Sequence, residues 1–217
     1  MEVRWLGTVE YDEATKLQEE RARARRSASV PDTLFLLEHP PVITLGRGAD
    51  ERNVLETEEE LARTGILLRR TGRGGDVTYH GPGQLVGYSV IALRGRDVHR
   101  YLRDLETVLL RSLADFGIHA ERSPGFTGVW VGPSKIAAIG VRLSRWVTSH
   151  GFALNVDPDL SPFSRIVPCG IRTGGVTSMA RLLGKAPSTR EVAARVAARF
   201  VEVFRIPAAP STSEAAC

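Results

Sequence analysis

The stretch GVWVGPSKIAAIGVRLSRWVTSHGFALNV, residues 128–156, decides the fold. Its segments 128–131, 134–143 and 147–156 are rich in β-branched residues and are separated by short turns, so they read as three successive strands. Within 134–143 the period of two places Lys135 on the same face as Ala137, Ile139, Val141 and Leu143. That face is apolar, which predicts an amine directed toward the core; a lysine at a strand end that snorkels to water is the alternative. Burial would disfavour the charged form and let the amine exchange a proton near neutral pH.

Working outward, 84–93 reads as a further strand upstream, and 3–9, 35–39 and 42–45 as short strands, the last two split by Pro40-Pro41. The segment from Asp12 to about Arg26 reads as a helix with a charged outer face. Val98, Leu102, Leu105, Leu109, Leu113 and Phe116 recur at steps of three and four between an Asp97 cap and Gly117, an amphipathic helix. Ser188 and Glu191 have the spacing of a capping box ahead of Val192, Val196, Phe200 and Phe204, a second such helix that ends before Pro207. Strands clustered in the middle with the long helices apart predict α+β, a mixed β-sheet flanked by helices, rather than regular βαβ alternation.

A chain of 217 residues that is 42% hydrophobic suits one domain, expected over 1–206, with 207–217 as a flexible tail of small and polar residues. No stretch approaches a membrane span, and the N-terminus lacks a signal peptide's apolar core, so a cytoplasmic protein is expected. The pI near 9.4 suits an acidic partner without naming one. The aromatic fraction of 6% and the lack of a base-stacking motif argue against nucleic acid. Only three of the 29 cationic residues are lysines, Lys16, Lys135 and Lys185. The densest basic run, Arg21 to Arg26, reads as a solvated helix face or as a docking patch.

Three segments carry chemistry. The glycine-rich RTGRGGDVTYHGPGQLVG, 70–87, reads either as a tight hairpin or as a loop whose amides, with Arg73, hold a carbonyl, phosphate or carboxylate. It is neither a Walker loop nor GxGxxG, so no nucleotide site is indicated. Cys169 sits between Pro168 and Gly170, and as a residue with no strand or helix role it is either a thiolate nucleophile or an inert buried thiol. His80 and His150 are candidate bases, or hydrogen-bonding residues of their turns. No two histidines have metal-ligand spacing, so no metal and no cofactor are expected.

Taken in order, RGGDVTYHGPGQ at 73–84, SKIAAIG at 134–140, HGFALNV at 150–156 and PCGI at 168–171 followed by GVTSM resemble the lipoyl(octanoyl) transferase family, related to the lipoate and biotin protein ligases. The resemblance spans nearly all the chain except the tail. It implies an octanoyl or lipoyl group moved from acyl carrier protein to a lysine of a lipoyl domain. The acceptors it implies are the 2-oxoacid dehydrogenase complexes and the glycine cleavage H protein, with no nucleic acid and no membrane involved. By the same likeness Cys169 carries the acyl thioester and Lys135 favours its thiolate. Arg73, Gly74, Gly75, Asp76, Val77, Thr78, Tyr79 and His80 line the acyl pocket, and Ala138, Ile139, Gly140, Gly151, Phe152 and Ala153 supply its other contacts. Two rivals remain at this stage: an ATP-dependent ligase on the same fold, which has no need of Cys169, and a non-catalytic acyl-binding module.

Overall fold

The computed structural model describes residues 1–93, 95–167 and 175–204; Cys169 and the 207–217 segment lie outside them. Nine strands and five α-helices are described. β1 (Glu2–Thr8), β2 (Thr33–Glu38), β6 (Gln84–Val90), β7 (Gly128–Val131), β8 (Ser134–Ser144) and β9 (Val147–Asn155) form one sheet in the order β1-β2-β6-β9-β8-β7. β1 runs parallel to β2 and every other pairing is antiparallel, so the sheet is mixed. A second sheet has β3 (Val42–Leu45) between β4 (Leu67–Arg70) and β5 (Val77–His80).

Each face of the large sheet buries a helical layer, because neither the apolar sheet nor an amphipathic helix is stable alone. α3 (Val98–Ala114) and α5 (Thr189–Phe204) close one face over Leu34, Leu36, Leu85, Ile136, Ala137, Phe152 and Leu154. α1 (Tyr11–Arg26) covers the other, where Ala14 and Ala22 meet Phe35, Leu37, Val86, Tyr88 and Ala153. The second sheet has its own core of Ile43, Val77 and Tyr79 with Leu61 of α2 (Glu58–Arg63) and Phe163.

Local chemistry explains the ends. The Asp97 carboxylate accepts from the Arg100 amide at 2.9 Å, and Gly117, at φ +75°, follows the end of α3. At α5 the Ser188 hydroxyl accepts from the Glu191 amide at 3.2 Å. The reciprocal capping box appears instead at α2, where Thr57 and Glu60 satisfy each other's backbone, a feature the sequence reading passed over. In the basic run, Arg21 pairs with Glu2 and Arg25 with Asp32 at 2.5 Å, so two of its members fasten α1 to the first two strands.

The reading of 134–143 as one uninterrupted alternation is corrected. Val129 lies opposite Ala137 but Trp130 lies opposite Lys135, so Ile136 is an extra residue in β8. This bulge puts Ile136 and Ala137 in the core and turns Lys135 away from it. β5, a four-residue strand inside the glycine-rich segment, and β4 were also not legible, because short strands acquire their identity from the partner they pair with.

Glu106 of α3 is fully buried and accepts from Arg103 Nη1 at 2.7 Å, Arg122 Nε at 2.8 Å and the Gly128 amide at 3.2 Å. It ties α3 to the start of β7 and thus to the strand that carries Lys135. Replacing it with alanine strands the Gly128 amide and leaves two arginines without their anion. Glu106→Ala is expected to lose about 3 kcal/mol of stability, read by urea unfolding.

Candidate active site

The site lies on the α1 side of the large sheet, where β8 and β9 present cross-strand pairs of small residues. Ala138 faces Ala153 and Gly140 faces Gly151. Over them lies the glycine-rich loop, fastened by Gly74 N donating to Val141 O at 2.8 Å and Arg47 N donating to Arg73 O at 2.8 Å. Gly140 is required by this roof, because a Cβ there would come within 2.8 Å of the Gly74 carbonyl. Gly75 adopts φ +86°, a conformation that L side chains rarely hold.

The result is a cleft lined by Arg73, Gly75, Asp76, Val77, Thr78 and His80 from the loop and β5. The sheet adds Ala138, Ile139, Gly140, Gly151, Phe152 and Ala153. The structure thus brings together twelve of the fourteen substrate-contact positions read from the sequence. Tyr79 points instead to Phe163 in the second core, and Gly74 serves as the tether to β8. Tyr11, Tyr88 and His150 complete the lining. Of these, Tyr88 was accessible to pattern, since it shares a face with Gln84 and Val86 on β6, whereas Tyr11 arrives from a helix distant in sequence.

A second, small cavity shares Thr78, Ala138 and Ala153 with the cleft and is lined by Lys135, Gln84, Asn155, Phe163 and Val176. Lys135 is therefore at one end of a continuous groove with a floor of alanine and then glycine. Its backbone is fixed on both sides, its amide donating to Gly175 O at 2.9 Å and its carbonyl accepting from Thr177 N at 3.0 Å. Its Nζ lies 4.7 Å from the centroid of the Trp130 ring. Cys169 falls in a segment bounded by the described Val167 and Gly175. Val167 N is bonded to Asn53 O at 2.8 Å, and Gly175 is bonded to Lys135.

A polar chain joins the two cavities. Arg73, 8% exposed, donates through Nη2 to the Thr44 carbonyl at 2.7 Å and the Thr44 hydroxyl at 2.8 Å. That hydroxyl has its own proton for His80 Nε2 at 3.4 Å, leaving His80 Nδ1–H to donate to Gln84 Oε1 at 2.7 Å. Gln84 Nε2 donates to Asn155 Oδ1 at 2.8 Å, and Asn155 Nδ2 donates to the Thr177 carbonyl at 3.0 Å. Beside it, His39 donates from Nδ1 to the Val9 carbonyl at 2.6 Å and accepts from the Tyr88 hydroxyl at 2.7 Å.

Burial keeps these imidazoles neutral. His39 is lowered to about 4, chiefly by desolvation, against which the Val9 hydrogen bond acts. His80 is lowered to about 3 by desolvation first, then by His39 and Arg73, and His150 to about 4 by desolvation with Arg73 and Arg142 adding to it. Desolvation also raises the phenols of Tyr11 and Tyr88. With both His80 nitrogens engaged in the chain, the hydrogen-bonding reading of that residue is the one its geometry supports.

A two-sheet fold with a glycine-rich roof over a small-residue cleft and a lysine at its end defines a class, and the sequence matches it directly. Residues 10–201 match the family described as the lipoyl protein ligase A/B catalytic domain, and the chain belongs to that family. Within it, the chain is 54% identical over 210 residues to a protein named octanoyltransferase from Rubrobacter xylanophilus, 95% of each chain being covered. An octanoyltransferase from Solibacter usitatus is 53% identical over 216 residues, 99% of this chain and 97% of that one. The fold is also that of the bi-partite lipoate protein ligase of Thermoplasma acidophilum, with TM-score 0.71 at 19% identity, covering 97% of this chain and 87% of that one. A biotin protein ligase from Aquifex aeolicus shares it more loosely, with TM-score 0.59 at 16% identity over 94% and 70% of the two chains.

The buried imidazoles fix a pH dependence. Their ordinary value is 6.5, so below it the unfolded chain takes up protons that the folded one refuses, and stability falls as the pH drops from about 6.5 toward 4. Above 6.5 they contribute no slope. His150 has φ +57°, which asparagine tolerates. His150→Asn should therefore fold and should reduce the slope of unfolding free energy between pH 5 and 6 by about 1 kcal/mol per pH unit. Denaturant titrations at several pH values measure it, and an unchanged slope would show that His150 is not held neutral.

Proposed function

We propose that this chain transfers an octanoyl group from acyl carrier protein to a lysine of a lipoyl domain, through a thioester on Cys169. Octanoyl transfer in protein lipoylation follows from relatives half-identical over almost the whole chain that bear that name. The thioester route is the proposal, and the observation that carries it is the groove with Lys135 at one end and a floor of Ala138, Ala153 and Gly140 beyond.

In the first step the Cys169 thiolate attacks the carbonyl of the carrier's thioester; the carbonyl carbon gains a bond to sulfur and the carrier's thiol departs with a proton. In the second the acceptor lysine's amine attacks the new thioester, forming the amide and returning the cysteine. No external energy source is needed, because thioester exchange is nearly neutral and the amide is downhill. Lys135 is assigned the proton transfers at sulfur, which an arginine could not perform. The acyl tail is assigned to the groove over the Ala138–Ala153 pair, toward Gly140, with Arg73 and His80 on its flank. Donor and acceptor use one site in turn, which gives ping-pong kinetics. The lipoyl domains of 2-oxoacid dehydrogenases and the glycine cleavage H protein are the proposed acceptors. Residues 1–206 are the proposed catalytic domain, with 207–217 dispensable.

Incubation with octanoyl carrier protein and no ATP should add one octanoyl mass to the intact protein, removable by hydroxylamine and absent in Cys169→Ser. An adduct that survives the substitution overturns the thioester route, and a requirement for ATP favours a ligase. Independently, Ala138→Leu adds three carbons of side chain to the groove floor at a position that is only partly buried. It should reduce kcat/KM for octanoyl donors on the order of tenfold or more while sparing butanoyl donors, because the penalty falls on the part of the tail beyond the floor. Equal losses for both chain lengths would place the tail elsewhere.

A further inference from the structure

We propose that the Trp130 indole is the positioning surface for the Lys135 side chain, holding its amine aimed along the groove. This rests on the role given to Lys135 above and adds a residue with no part in that reading. The bulge at Ile136 puts Trp130 and Lys135 directly opposite one another at the junction of β7 and β8. The amine lies 4.7 Å from the ring centroid, and the two residues are 6% and 9% exposed. An indole face attracts a cation through its quadrupole, more strongly than a phenyl ring does and most strongly where water is excluded.

The described residues that line the cavity from β5, β6, β9, the Ser161–Arg165 turn and Val176 are uncharged. The titratable groups those elements carry, Tyr79, His80, Tyr88, His150 and Arg165, lie outside that lining. Glu121 meets Trp130 through backbone bonds and belongs to the neighbouring loop. Trp130 is itself fixed, its amide donating to Glu121 O at 2.9 Å and its ring packing 6.4 Å from Phe126. The ring thus offers a rigid face on which a flexible four-carbon side chain loses its alternatives.

With only three lysines in the chain, Lys16, Lys135 and Lys185, protein labelled with ¹³C-lysine gives a spectrum in which Lys135→Arg assigns the signal directly. In the native sequence the Lys135 ε-methylene protons should be shifted upfield by the ring. In Trp130→Leu that displacement should vanish and octanoyl transfer at neutral pH should drop on the order of tenfold. Trp130→Phe keeps an aromatic face and should fall between the two in both readouts, even if leucine disturbs packing. The proposal is overturned if phenylalanine and leucine behave alike, if the lysine signal ignores both, or if transfer is undiminished after the contact is lost. Because the spectrum reads the contact without any acyl chemistry, failure here is distinct from failure of the Cys169 thioester, which the intact mass reports.

Discussion

One extra residue in β8, Ile136, sets which side of the sheet Lys135 serves. In an unbroken strand Lys135 would share the face of Ala137, and its amine would lie in the core beneath α3 and α5. The bulge lets Ile136 and Ala137 both fill that core while Lys135 emerges on the opposite side, over Trp130 and beside the cleft. Past the bulge the alternation resumes, so that Ala138 and Gly140 continue the same stripe. The groove, its floor and the position of its lysine all follow from that register.

Small residues form the floor, and a polar network forms the wall. The second sheet supplies Thr44 and His80, the large sheet supplies Gln84 and Asn155, and hydrogen bonds run between them from Arg73 to the Thr177 carbonyl. Such a network is stable in a dry interior only when each member has its partner. The neutral state of His80 is part of that arrangement, because each imidazole nitrogen has one defined role, as acceptor from Thr44 and as donor to Gln84. The buried guanidinium and its neighbours therefore act together as a rigid wall rather than as separate titrating groups.

The match to octanoyltransferases and the looser likeness to ligases make physical sense together. The ligase structures share the two-sheet frame at 16–19% identity, so the frame alone does not define the chemistry. Cys169 and Lys135 are the pair proposed here to carry the transfer through sulfur.

The sequence alone determined much. Amphipathic periods located α3 and α5, β-branched runs located the strands of the large sheet, and the ordered motifs at 73–84, 134–140, 150–156 and 168–171 pointed to the family. These are local properties, legible because propensity, periodicity and turn chemistry act over a few residues. Tertiary structure alone decided that β5 is a strand, that Tyr79 faces away from the cleft while Tyr11 and Tyr88 line it, and that Lys135 leaves the core face. Each depends on a partner far along the chain: β3 for β5, Phe163 for Tyr79, the sheet beneath α1 for Tyr11, and β7 for the bulge. A period of two read along one strand carries no record of the strand beside it, and it is the neighbour's register that sets where an extra residue is accommodated.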